Sequence, residues 1–182
     1  RIVDRTNALK PDVIAITGDL VDGSVAMIGD EVGRLSKLRA RYGTFFSTGN
    51  HEFYSGAMSW MAHLDRAGVQ VLANARQQVG DAGGKIEVVG IHDIQGARFS
   101  SAFAPDLPAA LTGADPDAAT VLLSHQPRAI GLTDGHAIDL QLAGHTHAGQ
   151  IWPFGMLTRL VQPYLQGLHQ HNATTQIYVS GG

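Results

Sequence analysis

Short apolar runs of strand length recur along this chain, and each one closes on a small polar cluster. Val13-Ile14-Ala15-Ile16 ends at Thr17-Gly18-Asp19, and Phe45-Phe46-Ser47 ends at Gly49-Asn50-His51-Glu52. Residues 120–123 end at Ser124-His125, and residues 138–143 end at Gly144-His145-Thr146-His147. Continuous apolar runs suit strands covered on both faces. Between them, Val25, Ile28, Val32, Leu35, Leu38 and Tyr42 fall at spacings of three and four, which predicts a helix over 25–42. Ala57, Trp60, Met61, Leu64 and Ala67 predict a second helix, with Ser55 as its cap. Alternating strands and helices give an α/β layered fold. In open α/β sheets, ligands bind outside the carboxyl ends of the strands. Asp19, Asn50, His125, His145 and His147 are therefore expected at one edge of one sheet.

The rest of the chain fits the same plan. Residues 1–9 read as the tail of a helix stopped by Pro11, which suggests that something precedes it. Residues 69–72, 85–90 and 176–179 read as further strands, with a turn at 81–84. Residues 96–118 read as loop with one short helix near 107–111, and a helix is expected from Arg128. A length of 182 residues suits a single domain over 1–182. With 44% hydrophobic and 16% charged residues, disorder is not expected. A net charge of −3 and no basic stripe argue against a nucleic-acid surface. No apolar run approaches the roughly 20 residues that span a bilayer.

The chain has no cysteine, so any metal must sit on imidazole, carboxylate or amide groups. A mixed nitrogen and oxygen set suits Mn, Fe, Zn, Co or Ni better than Ca or Mg. Gly18, Gly49 and Gly144 precede Asp19, Asn50 and His145, and glycine accepts the tight turns such strand ends need. If the segment stays extended, His145 and His147 face the same way and Thr146 faces away.

The ordered motifs Gly-Asp-x-x-Asp (18–22), Gly-Asn-His-Glu (49–52), His125 and Gly-His-Thr-His (144–147) resemble the calcineurin-like metallophosphoesterases. The stretches 123–127 and 144–154 (GHTHAGQIWPF) look like a bacterial branch often found behind a membrane anchor. The resemblance covers nearly the whole chain. It implies a four-layer α/β/β/α sandwich carrying two divalent metal ions, Mn favoured. By motif position, Asp19 would bridge the two ions. Asn50, His125 and His145 would complete the second, and His147 would serve the first. His51 would stand by the leaving-group oxygen as acid or hydrogen-bond donor, and Asp22 would support or shape the turn. The implied reaction is hydrolysis of a phosphoester, diester or pyrophosphate favoured, by a metal-activated hydroxide. The substrate would be a phosphorylated small molecule or a lipid-linked phosphate, and an upstream membrane anchor is compatible with the pattern.

The sequence departs from that pattern in places. The family opens with Asp-x-His after its first strand, and nothing before Asp19 matches. Asp134-Gly135-His136 has the spelling but precedes a strand, in turn chemistry. The simplest expectation is truncation at both ends of the domain, with an inactive fragment as one consequence and an exposed sheet edge as another. Ala148 stands where glycine is usual. A non-catalytic scaffold is the alternative function, and a mononuclear zinc hydrolase built on His145 and His147 is a third. Of the remaining residues, His92 reads as a loop histidine and His63 as surface. His169 and His171 read as loop or site lining, and Trp152 and Phe154 as core. Arg98 and Arg128 carry no assignment.

Overall fold

In the computed structural model, residues 1–149 and 161–182 are described. Trp152, Phe154 and the apolar stretch around them lie outside the described residues. Two sheets form the centre. The smaller holds β1 (Ile14–Ile16), β2 (Thr44–Phe46) and β3 (Gln70–Val71) in that order, all parallel. The larger contains β4 (Ala75–Asp81), β5 (Gly84–Gly90), β6 (Ala119–Leu123), β7 (Leu140–Ala143), β8 (Gly167–Gln170) and β9 (Gln176–Val179). Its order is β4-β5-β6-β7-β9-β8, parallel from β5 through β9 and antiparallel at both outer pairs.

Side chains alternate across each strand, and this alternation builds the layers. Phe45, Leu72, Val79, Val88 and Leu123 form the core between the sheets. Their sequence neighbours turn outward. Phe46 joins Leu64 and Val69 beneath α2 (Val25–Val32) and α4 (Ala57–Arg66), with Ile16, Leu20, Val32 and Leu35 around them. Val89 and Leu122 join Ile91, Ile138, Leu107 and Ala110, the last two from α5 (Leu107–Ala110). Burying one such side chain is worth about 1.5–3 kcal/mol. A one-residue slip in β2 would exchange the environments of Phe45 and Phe46, both fully buried, so register is tightly specified. The result is the expected four-layer α/β/β/α arrangement.

Several expected elements differ. The helix over 25–42 stops at Val32 and continues as a 3-10 turn, Gly33–Lys37, after which Leu38 is extended. Asn7, from α1 (Ile2–Ala8), pins that exit: its Nδ2 donates to the Lys37 carbonyl and its Oδ1 accepts from the Arg39 N–H, both at 2.8 Å. Ser55 does not cap α4. It ends a separate helix, α3 (Asn50–Ser55), and its Oγ accepts from the Gly23 N–H at 3.2 Å. The helix expected from Arg128 is a 3-10 helix, Pro127–Thr133. β4 and β8 were not expected, because their sequences lack an apolar run.

The expectation of one sheet edge needs the largest correction. Asp19 and Asn50 follow strands of the small sheet, whereas His125 and His145 follow strands of the large one. The site lies where two sheets meet.

Candidate metal centre

The turn after β1 and the turn after β2 lie against each other. Gly18 has φ +83°, and a Cβ there would overlap the Gly49 backbone nitrogen. A Cβ on Gly49 would in turn overlap the Asp19 carboxylate. Only glycine permits this approach. Glu52 holds it closed. Its Oε2 accepts from the Gly49 N–H at 2.6 Å and the Asp19 N–H at 3.0 Å, and its Oε1 accepts from the Leu20 N–H at 2.8 Å. The bond to Gly49 is the return arm of a capping box, made here from the third residue of α3. The side chain is fully buried. Burial raises its pKa above the ordinary carboxylate value, against the opposing pull of the three N–H donors. Sequence reasoning missed this residue, although a glutamate three residues after Gly49 is a recognisable capping signal.

Asp19 is presented by this clamp with φ +54°. Its Oδ1 accepts from the His51 N–H at 2.9 Å, and its Oδ2 lies 3.0 Å from His125 Nε2. Burial pushes its pKa up, but hydrogen bonding and the charge of His125 hold it below the ordinary value. His125 is buried, and its Nδ1 donates to the Thr17 carbonyl at 2.7 Å. That bond joins the two sheets and aims Nε2 at Asp19. Such an outer partner fixes the tautomer and ring orientation of a metal-binding histidine. Burial lowers the His125 pKa, yet Asp19 raises it above the ordinary histidine value. His145 Nδ1 stands 3.0 Å from His125 Nε2. Burial, then the His125 charge, push its pKa down to about 4, so His145 is neutral and able to ligate near pH 7. The exposed Arg128 guanidinium adds to this lowering.

Among the described residues, Asp19, His125 and His145 place ligand atoms within 4.8 Å of one another. Asn50 opens α3, is buried, and its Oδ1 has no hydrogen-bond partner among the described residues. Leaving a buried carbonyl oxygen unpaired is costly, about 1–3 kcal/mol. A cation beside Asp19 would satisfy it, so the donor set fits a divalent transition metal. His147 is exposed and outside that three-residue cluster, within electrostatic reach of His145. The segment carrying both is not extended. His145 (φ 68°), His147 (φ 46°) and Ala148 (φ 56°) are left-handed, and Thr146 anchors the turn by donating to the Leu165 carbonyl at 2.6 Å. Strained backbone of this kind concentrates at functional sites.

His51 sits at the rim. Its Nε2 is 4.0 Å from Asp19 Oδ2 and its Nδ1 is 3.4 Å from Asp22 Oδ1. Asp22 thus lies beside His51 rather than in the cluster. His92 falls in the loop after β5 as expected, but it is buried: its Nδ1 is 3.2 Å from Thr48 Oγ1, and burial lowers its pKa. His63 is partly buried and bridges helices through the Gly29 carbonyl at 2.9 Å. His169 stacks on Tyr164 at 4.9 Å, and His171 lies 3.5 Å from Asp134, away from the cluster. That contact also places Asp134 outside it.

Comparison with known proteins identifies the family. The family model described as calcineurin-like phosphoesterase matches residues 1–149. An uncharacterized metallophosphoesterase of Helicobacter pylori is 42% identical over the full chain, which covers 48% of that protein. A transmembrane protein with metallophosphoesterase domain from Bos taurus is 40% identical over 99% of the chain and 43% of its own length. The chain thus spans about half the length of these relatives. The solved phosphopantetheinyl hydrolase of Mycobacterium tuberculosis superposes with TM-score 0.59 over 94% of this chain and 80% of that one, at 13% identity, a likeness of fold alone. Among the described residues no helix is long and apolar enough to cross a membrane.

Proposed function

The chain belongs to the calcineurin-like phosphoesterases, and from that premise we propose that it binds divalent metal and hydrolyses phosphoesters at the cluster described above. In this reading Asp19, Asn50, His125 and His145 hold one ion. His147, with Asp19, would serve a second ion. Manganese is favoured, on the mixed nitrogen and oxygen donors. Such ions activate water and offset charge on the phosphoryl oxygens. The chain's own residues do the remainder. Glu52 fixes the Asp19 and Asn50 turns, Thr17 orients His125, and His51 delivers a proton to the departing oxygen as the phosphorus–oxygen bond breaks. Diesters or pyrophosphates are the favoured substrates, in a phosphorylated small molecule or a lipid-linked phosphate. The transmembrane relative makes a membrane-associated parent part of the same reading.

The observation that carries this proposal is the three-residue ligand cluster together with the buried Asn50 Oδ1, which has no partner among the described residues and whose flanking residues, Gly49 and His51, both touch Asp19. Equilibrium dialysis with Mn²⁺ tests it. Asn50→Ala should weaken binding by about tenfold or more, on the scale set by metal-site partners. Unchanged affinity would sink the ligand assignment and favour a scaffold or a two-histidine site. His51→Ala should keep the metal content and lose about 10²–10⁴-fold in turnover of an activated phosphodiester.

A further inference from the structure

A row of aromatic rings runs from buried His92, in the loop after β5, out to His51. Phe53 is buried and packs edge-on to His92 at 5.8 Å and against Phe103 at 5.3 Å. Phe99 stacks on Phe53 at 5.7 Å and 24° between ring planes. Tyr54 packs on Phe99 at 5.7 Å, tilted by 56°, and meets the His51 ring edge-on at 5.6 Å. The last two rings before His51 are open to solvent: Tyr54 is 56% exposed and Phe99 is 49% exposed.

These rings are held rather than loose. The Tyr54 hydroxyl donates to Gln95 Oε1 at 2.8 Å, so the ring is fixed and its polar tip already engaged. Gln95 is itself set by its N–H, which donates to the buried Asp93 at 2.9 Å. Phe99 is fixed from beneath by Phe53. Two fixed, half-exposed rings, tilted by 56° to each other, therefore stand immediately beside the candidate proton donor. Trp, Tyr and Phe combine a large apolar body with a π face, which suits them to contact with a ligand.

We propose that Tyr54 and Phe99 form a leaving-group subsite, and that it takes a small planar aromatic group such as a nucleobase or aryl ring. The inference rests on the functional reading above, since His51 defines the leaving-group side. Three features select the class of ligand. The rim offers aromatic rings, which stack on planar π systems. The Tyr54 hydroxyl is engaged by Gln95, so that ring presents its π system rather than its polar tip. Among the described residues the open aromatic patch beside His51 is two rings, which matches one ring system.

The test compares adenosine 5′-phosphate with ribose 5-phosphate, which share the same phosphate ester and differ only in the base. Their binding to the Mn²⁺-loaded 182-residue chain is measured by calorimetry. Adenosine 5′-phosphate should bind about tenfold tighter, the scale of a single base–aromatic stack. Tyr54→Leu and Phe99→Leu should each shrink the ratio, and Tyr54→Phe should preserve it. A ratio near one in the parent chain, undetectable binding of both ligands, or a preference that survives both leucine substitutions overturns the proposal. So does decyl phosphate binding more tightly than adenosine 5′-phosphate, which would assign the ledge to an alkyl chain. Metal content and phosphodiester turnover on the same sample report on the catalytic reading separately. A chain that holds metal yet ignores the base refutes the subsite alone. A chain that prefers the base yet binds no Mn²⁺ refutes the metal-site reading alone.

Discussion

The two sheets contribute to the centre in different ways. The small sheet carries the candidate oxygen ligands, Asp19 and Asn50, on strands only three residues long. The large sheet carries the candidate imidazole ligands, His125 and His145, after β6 and β7 in the interior of six strands. Each half is held by a matching device. On the oxygen side, short strands cannot fix two turns by ladder bonds alone, so a buried carboxylate, Glu52, gathers three N–H groups from both turns. On the nitrogen side, the ladder is already rigid, and one bond from His125 to the Thr17 carbonyl suffices to set the ring. The lesson is that ligand precision can come from a side-chain clamp where the sheet is small.

This comparison can be broken most directly at His125, the residue that touches both halves. His125→Ala should cost more than the ~100-fold in Mn²⁺ affinity typical of outer partners, read by dialysis, since it removes a ligand and the bond to Thr17. Retained affinity would mean that the large sheet does not supply the site. The next effect should come from Glu52→Gln, which keeps the shape but turns one acceptor arm into a donor facing N–H groups. Metal affinity should fall about 10–100-fold. Unfolding free energy should drop by about 3 kcal/mol, the scale of hydrogen bonds to a buried charge. If stability falls while affinity holds, the clamp serves the small sheet and not the metal. The smallest effect should be Thr146→Val, which removes one bond to Leu165. About 1 kcal/mol in thermal or denaturant unfolding is expected, with a slight loss of Mn²⁺ affinity. A larger affinity loss than that of Glu52→Gln would reverse the ranking of the two devices.

Much of this was legible in the sequence, for identifiable reasons. The apolar runs ending at Asp19, His125 and His145 are strands because both faces are covered, and the ligand types follow them in order. What the runs do not encode is which sheet each joins, so the junction of two sheets read as one edge. β4 was invisible because residues such as Arg76 and Gln78 pair instead with Glu87 on β5, at 2.9 and 3.0 Å. The helix over 25–42 was overlong because the same apolar spacing serves a 3-10 turn, and only the distant Asn7 reveals where it ends. The turn at His145-Thr146-His147 read as extended because nothing local announces left-handed backbone in residues that usually avoid it. The aromatic row required contacts between α3 and the loop at Phe99 that no sequence spacing carries.

Those left-handed residues have a consequence for how such a chain can be improved. Asp19, His145, His147 and Ala148 all carry positive φ without being glycine. Each gives up on the order of 1–2 kcal/mol relative to a relaxed backbone. A selection for thermal resistance alone would therefore be drawn to these positions, and glycine would be its easiest reward. Every such gain at the first three would delete a candidate ligand. A hardened variant of this domain would be expected to arrive with an intact fold and an empty centre, the usual exchange between robustness and activity.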